Sequence, residues 1–225
     1  MKIINGYPFE LHNPEKISLE KSEAQLQAFL STMLKRRSVR SFSNKPVPEK
    51  IIKKILEVAH TAPSGANKQP WTFCAIQNAE LKKQIRDAAE KEEFDSYNGR
   101  MPQEWLDDLA PLQTDWKKEF LETAPWLIVV FKKNYDVNDT GKKTTNYYVQ
   151  ESTGIATGFL ISAIHAAGLC TLTHTPSPMN FLSKLLQRPD NEKPFLLLPV
   201  GFAAEECYVP HLKKKPIEEA TVFFK

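Results

Sequence analysis

The sequence predicts a three-layer α/β or α+β domain, with long helices packed against a sheet of few, short strands. Three observations carry that expectation. Stretches with apolar residues at helical spacing alternate with short apolar and β-branched runs. One run, residues 126–131, is apolar throughout, so both faces of that strand should be covered. At 225 residues, with 41% hydrophobic and 25% charged side chains, the chain suits one ordinary core.

Residues 19–35 place Leu26, Phe29, Leu30, Met33 and Leu34 at helical spacing, which predicts a helix. Pro48 opens a second helix in its first turn, with Ile51, Ile52, Ile55, Leu56 and Val58 on its buried side and an end near Ala62 and Pro63. Residues 71–76 read as a strand, 81–93 as a helix, and 97–115 as a polar excursion carrying Gly99, Pro102 and Pro111. A short helix over 114–123 is stopped by Pro125, and the apolar strand 126–131 follows. Residues 136–145 read as a polar loop. A long helix over 147–167 carries the small residues Gly154, Ala156 and Gly158, suited to close contact inside the domain or across a dimer interface. Gly168 stops it. Strands over 169–174 and 195–200 flank a short helix at 180–186. The order is α-α-β-α-(insert)-α-β-α-β-α-β-tail.

The formal net charge of +3 is too small to argue for a nucleic-acid partner. Cys74, Cys170 and Cys207 are odd in number and far apart, which reads as buried free thiols in a reducing compartment. His12, His60, His165, His174 and His211 are scattered singly and make no metal pattern; His165 reads as a core side chain. There is no G-x-G-x-x-G, no Walker motif and no G-x-S-x-G. The absence of a leader and of a membrane-length apolar run makes a soluble, cytoplasmic protein the expectation.

Four groups of residues bear chemistry. Arg36, Arg37, Ser38 and Arg40 put three guanidiniums and a hydroxyl in five positions, which is either a solvated basic face or a bidentate grip on phosphate. A second basic cluster, Lys213-Lys214-Lys215, lies near the end of the chain, and the pair suggests one bound anionic cofactor. Ser64-Gly65-Ala66 forms a tight turn whose amides can donate to an acceptor, or is only a turn. Thr171, Thr173 and Thr175 alternate along the expected strand and share a face. This is either ordinary strand chemistry or a hydroxyl for a ring nitrogen of a planar cofactor. Glu93 and Tyr97 are four apart on one helical face, and Lys118 returns from the excursion. A carboxylate, a phenol and an ammonium together can clamp a zwitterion, or can be solvated.

RRSVR, PSGANKQPW, DWKKEFLETAP, GKKTTNYY, THTP, LLPVGF and the final LKKKP form a collinear series from about Pro14 onward. The series resembles the nitroreductase-fold flavoproteins and, within them, the iodotyrosine deiodinase branch. The resemblance implies an α+β, nitroreductase-like three-layer fold: a mixed central sheet flanked by helices, one domain over 1–225 with 91–120 as an active-site lid, in a domain-swapped homodimer. It implies FMN held by Arg36, Arg37, Ser38, Arg40 and Lys214, with Ser64 and Gly65 against the flavin and the 173–175 segment (Thr173, His174, Thr175) at its N5. Thr173 and Thr175 are both open as the hydroxyl there. It also implies that the Ala66 amide meets a phenolate oxygen and that Glu93, Tyr97 and Lys118 grip an amino-acid zwitterion. Lys214 departs from the family's frequent Arg. The implied reaction is reductive dehalogenation of 3-iodotyrosine and other halotyrosines to tyrosine and halide, with electrons from NAD(P)H or a partner reductase. The alternatives are a general NAD(P)H-dependent nitro- or quinone reductase and a non-catalytic binder of tyrosine-like ligands with structural FMN. No nucleic-acid or membrane partner is expected.

Overall fold

A computed structural model describes residues 1–225. The chain resolves into two compact units, Met1–Arg36 and Arg37–Lys225. In the first, strands β1 (Lys2–Ile4) and β2 (Tyr7–Phe9) pair as a small antiparallel hairpin that the sequence reading did not anticipate. Helix α1 (Leu19–Leu34) starts where the Ser18 hydroxyl accepts from the Lys21 amide, an N-cap that satisfies one orphan donor. Its apolar stripe was legible but is not buried: Leu26, Phe29, Leu30 and Leu34 are all exposed, Phe29 at 59%.

The second unit is built around four strands in the order β3-β4-β8-β7: β3 (Trp71–Ile76), β4 (Trp126–Lys133), β8 (Glu192–Gly201) and β7 (Cys170–Thr171). These pairings are antiparallel, and a parallel bridge from Ser38 to Thr171 adds the mixed character. β4 shows why the layers are three. Successive side chains point to opposite faces. Leu127, Val129 and Phe131 pack with Ile85 and Ala89 of α3 (Ala79–Asp95) and Leu182 of α7 (Asn180–Leu185). Trp126, Ile128 and Val130 pack with Ile52, Ile55 and Ala59 of α2 (Glu49–His60) and Leu160 and Ile164 of α6 (Val149–Ala166). All three β4 residues at 127, 129 and 131 are fully buried, each worth about 1.5–3 kcal/mol of transfer free energy.

Several local expectations need correction. Ile51 and Val58 lie on the exposed side of α2, because its true core face is Ile52, Ile55 and Ala59. The 97–115 excursion is not loop throughout. α3 runs into a π-helical turn at Ser96–Arg100, and α4 (Gln103–Leu109) follows. The helix expected over 114–123 shrinks to α5 (Phe120–Thr123), so Lys118 precedes it rather than riding on it. The 136–145 loop holds a hairpin of β5 (Tyr135–Val137) and β6 (Lys143–Thr145). The strand expected at 169–174 is only β7, so the alternation of threonines fails. Thr171 is buried, while Thr173 and Thr175 are both exposed beside a buried His174. Gly168 does end α6, at φ +72°, where a side chain would be strained. On α6, Ala156 is core, but nothing lies within 4 Å of a Cβ built on Gly154 or Gly158, and Ile155 and Phe159 beside them are exposed.

The three cysteines are free and half-buried rather than fully buried. His165 is likewise half-buried on α6. No helix is long and apolar enough to cross a membrane.

Candidate active site

One cavity gathers seven of the predicted site residues: Arg40, Glu93, Tyr97, Lys118, Thr173, His174 and Thr175. It encloses about 150 Å³, less than the roughly 300 Å³ or more that sites for whole drug-sized ligands occupy. The space suits the head of a small molecule rather than a whole flavin. One wall is the stretch from Glu93 to Phe120, with Met101, Trp105 and Leu109 supplying apolar surface. The other is Arg40 and the segment from Leu172 to Ser177.

The first wall is tied to α3. Glu93 projects from the last turns of that helix, and Tyr97 follows in the π-helical turn. Lys118 arrives from a non-helical segment, held because the Glu90 carboxylate accepts its backbone N–H at 2.6 Å and also the Arg86 Nε at 2.8 Å. The Lys118 Nζ lies 3.5 Å from Glu93 Oε2, donates to the Asp115 carbonyl and sits 5.5 Å from the Tyr97 ring centroid. Acid, phenol and amine therefore share one space, although only the first two were neighbours in sequence.

Burial dominates the electrostatics. It raises the Glu93 carboxyl above its ordinary range, against the pull of Lys118. It lowers the Lys118 ammonium, against the pull of Glu93. The Tyr97 phenol is also raised, chiefly by burial. His174 falls to about 3, from burial first and then from the Lys118 and Arg40 charges. A buried pair whose members are both pushed toward neutrality is poorly compensated by itself. A ligand carrying both charges would relieve it.

The remaining predicted residues lie outside this cavity. Arg36 is half-buried at the end of the first unit, its amide donating to the Met33 carbonyl. The Arg37 guanidinium donates to the Pro210 carbonyl, and Ser38 is exposed beside its bridge to Thr171. Lys214 is exposed in the tail. The Ser64 hydroxyl accepts from the Gln69 amide at 2.9 Å, closing the turn. A Cβ on Gly65 would meet Tyr148 Cδ2 at 2.9 Å, so the turn and the start of α6 are in close approach. Ala66 adopts φ 47°, ψ 32°, an unusual conformation for alanine. The turn consumes the amides of Asn67 and Lys68 but not those of Gly65 and Ala66.

The donors present fit an FMN group in chemistry. Arg37, Arg40 and Ser38 suit a phosphate or a polarised ring edge, and the Gly65 and Ala66 amides are available to an acceptor. Sequence reasoning missed Phe120 and Trp105, since an apolar residue among charges has no signature until the fold shows what it covers. It also placed His174 only as part of a flavin-facing segment.

The Nitroreductase family pattern matches residues 33–202. The chain is 63% identical over 180 residues to an iodotyrosine deiodinase of Haliscomenobacter hydrossis, covering 80% of this chain and 81% of that protein. The chain is an iodotyrosine deiodinase family member of the nitroreductase fold. Other deiodinases extend the likeness: 45% identity with that of Hydra vulgaris, covering 95% of this chain and 79% of the relative, and 43% with human iodotyrosine deiodinase 1, covering 94% and 72%. The structure matches that of oxidized iodotyrosine deiodinase bound to FMN and 3-iodo-L-tyrosine at a TM-score of 0.73. Identity there is 30%, covering 87% of this chain and all of the other. A BluB-like flavoprotein from Clostridium difficile, at 22% identity and TM-score 0.64, shares the fold.

Proposed function

We propose that this deiodinase family member removes iodide and other halides reductively from halotyrosines, with FMN as cofactor. The observation that carries the reading is the convergence of Glu93, Tyr97 and Lys118 on the cavity whose opposite wall presents Thr173 and Thr175. The overall change is halotyrosine plus two electrons and a proton to tyrosine plus halide. Bound in reduced form, FMN supplies the two electrons, the part of the chemistry that amino-acid side chains do not provide.

The chain's own groups bind, orient and shield. Arg36, Arg37, Ser38, Arg40 and Lys214 hold the phosphate and the polar edge of the cofactor, with Ser64 and Gly65 against its ring. The Ala66 amide, unspent in its own turn, donates to the phenolate oxygen of the substrate. Glu93 accepts from the substrate ammonium and Lys118 donates to the carboxylate, while Tyr97 bonds either. Each forsakes a poorly compensated internal pair for a charge-assisted one. Thr173 or Thr175 donates a hydroxyl at the cofactor's reactive nitrogen; both are exposed and available. Residues 91–120 act as a lid that closes over the amino acid and excludes water.

The assembly we infer is a homodimer. Its support is apolar surface that the second unit leaves uncovered: Ile155 and Phe159 beside Gly154 and Gly158, and Val222, Phe223 and Phe224 in the tail. Free cysteines support a reducing, cytoplasmic setting. Electrons come from NAD(P)H or a reductase partner.

The test is anaerobic mixing of the dithionite-reduced FMN-loaded protein with 3-iodotyrosine. One iodide per flavin oxidised is expected. Fast turnover of nitroaromatics with no preference for an amino acid would instead favour a general nitroreductase. Glu93→Gln should weaken 3-iodotyrosine binding by about ten-fold, the scale of one charge-assisted bond, while leaving FMN bound. Unchanged affinity would remove the clamp.

A further inference from the structure

We propose that His174 is a positioning residue: its neutral imidazole carries the proton on Nδ1 and turns the Glu93 carboxylate toward the ammonium of the bound amino acid. The inference rests on the reading of Glu93 given above. His174 is 6% exposed. Its backbone is fixed by reciprocal hydrogen bonds with Leu197 of β8, 2.9 Å and 3.0 Å, and its ring meets Phe120 edge-on at 5.6 Å between centroids. Nδ1 lies 3.9 Å from Glu93 Oε1, and Nε2 is buried with no partner.

Those facts select one tautomer. A neutral imidazole has one N–H and one lone pair. With the proton on Nε2, a buried donor would be unsatisfied and a lone pair would face a carboxylate. With the proton on Nδ1, the N–H faces the carboxylate and only a lone pair is orphaned, which is the cheaper arrangement. Burial and the nearby Lys118 and Arg40 charges keep the ring uncharged, so it contributes a dipole rather than a competing cation. At 3.9 Å the contact is long, and shortening it by about 1 Å makes a normal hydrogen bond. When Lys118 leaves Glu93 for the ligand's carboxylate, His174 stays, because its backbone belongs to the sheet edge rather than to the opposite wall. Glu93 then keeps one donor on Oε1 and offers the other oxygen to the ammonium.

Two measurements test this on the FMN-loaded protein. Nitrogen-15 NMR of the ring should show a neutral, Nδ1-protonated His174 from pH 6 to 8; an Nε2-protonated or titrating ring overturns the proposal without any substitution. Binding is then compared for 3-iodotyrosine and its des-amino analogue. His174→Phe keeps an aromatic ring for Phe120 and should weaken the amino acid about ten-fold, leaving the analogue unchanged. His174→Asn, whose amide nitrogen overlays Nδ1, should restore binding to within about three-fold, whereas His174→Gln should not. Equal losses for both ligands, or no rescue by Asn, mark a purely structural role. If Glu93→Gln weakens the amino acid and His174→Phe does not, only this inference falls; if neither does, the clamp itself falls.

Discussion

The two walls of the cavity differ in how they are held. On one side, Leu169, Thr171, Leu172 and His174 are buried, and Thr171 and His174 pair with β8, whose Leu197, Leu198 and Val200 are fully buried. On the other, no residue from 96 to 117 is buried. Trp105, which lines the cavity, is 51% exposed, and Phe94 and Trp116 stack edge-on at 5.5 Å without joining either main core cluster. Arg100 pairs with Glu92 at 2.9 Å, near solvent. The contrast teaches a division of labour. The sheet side sets positions, and the outer side is cheap to rearrange, as a binding-linked closure requires.

The two walls should differ most in stability. Leu197→Ala, in the sheet side, should cost about 2–5 kcal/mol by denaturant unfolding. Trp105→Ala should cost under about 1 kcal/mol yet weaken 3-iodotyrosine binding; a loss comparable to that of Leu197→Ala would mean the walls are equally integral. Hydrogen exchange sharpens the same point. Amides from 98 to 117 should exchange fast in the free protein and become protected with 3-iodotyrosine, while those of His174 and Leu197 stay slow throughout.

The pH dependence is subtler. A raised folded pKa at Glu93 favours folding at low pH, and the contribution is lost as pH climbs from about the ordinary carboxyl value through the raised one. A lowered pKa at Lys118 works from the other end, gaining stability only as pH rises through that lowered value toward 10.5. Neutral pH is therefore where the charged pair stabilises the fold least. The double variant Glu93→Gln/Lys118→Met should gain stability relative to the parent between pH 4 and 7, measured by urea unfolding. A flat difference across that range would contradict the assigned shifts. Smallest of all, Arg100→Gln should change unfolding free energy by less than about 1 kcal/mol, since its pair with Glu92 is partly solvated.

Much of this architecture could be read from the chain. The unbroken apolar run of β4 required cover on both faces, and the helical spacing of Ile52 and Ile55 supplied part of it, whereas Ala59 carried no such signal. Glu93 and Tyr97 were joined by helical spacing. What escaped depended on distant partners. The sequence around Lys118 reads as helix, yet its segment is shaped by the Glu90 carboxylate rather than by its own backbone ladder. The spacing of Thr173 and Thr175 continues a strand pattern, but pairing with β8 narrows to one bridge at His174. The α1 stripe announced a helix without saying whether anything in the same chain would cover it. No local pattern links His174 to Glu93.

Glu90 carries one more implication. Glu93 stands on α3 and Lys118 is moored to α3 through Glu90, so both jaws share a single mast. Between them, the arch from 98 to 114 can grow or shrink without altering the span across its feet. Evolution, or an engineer, could thus resize the compartment while the spacing of the acid and the amine stays as it is.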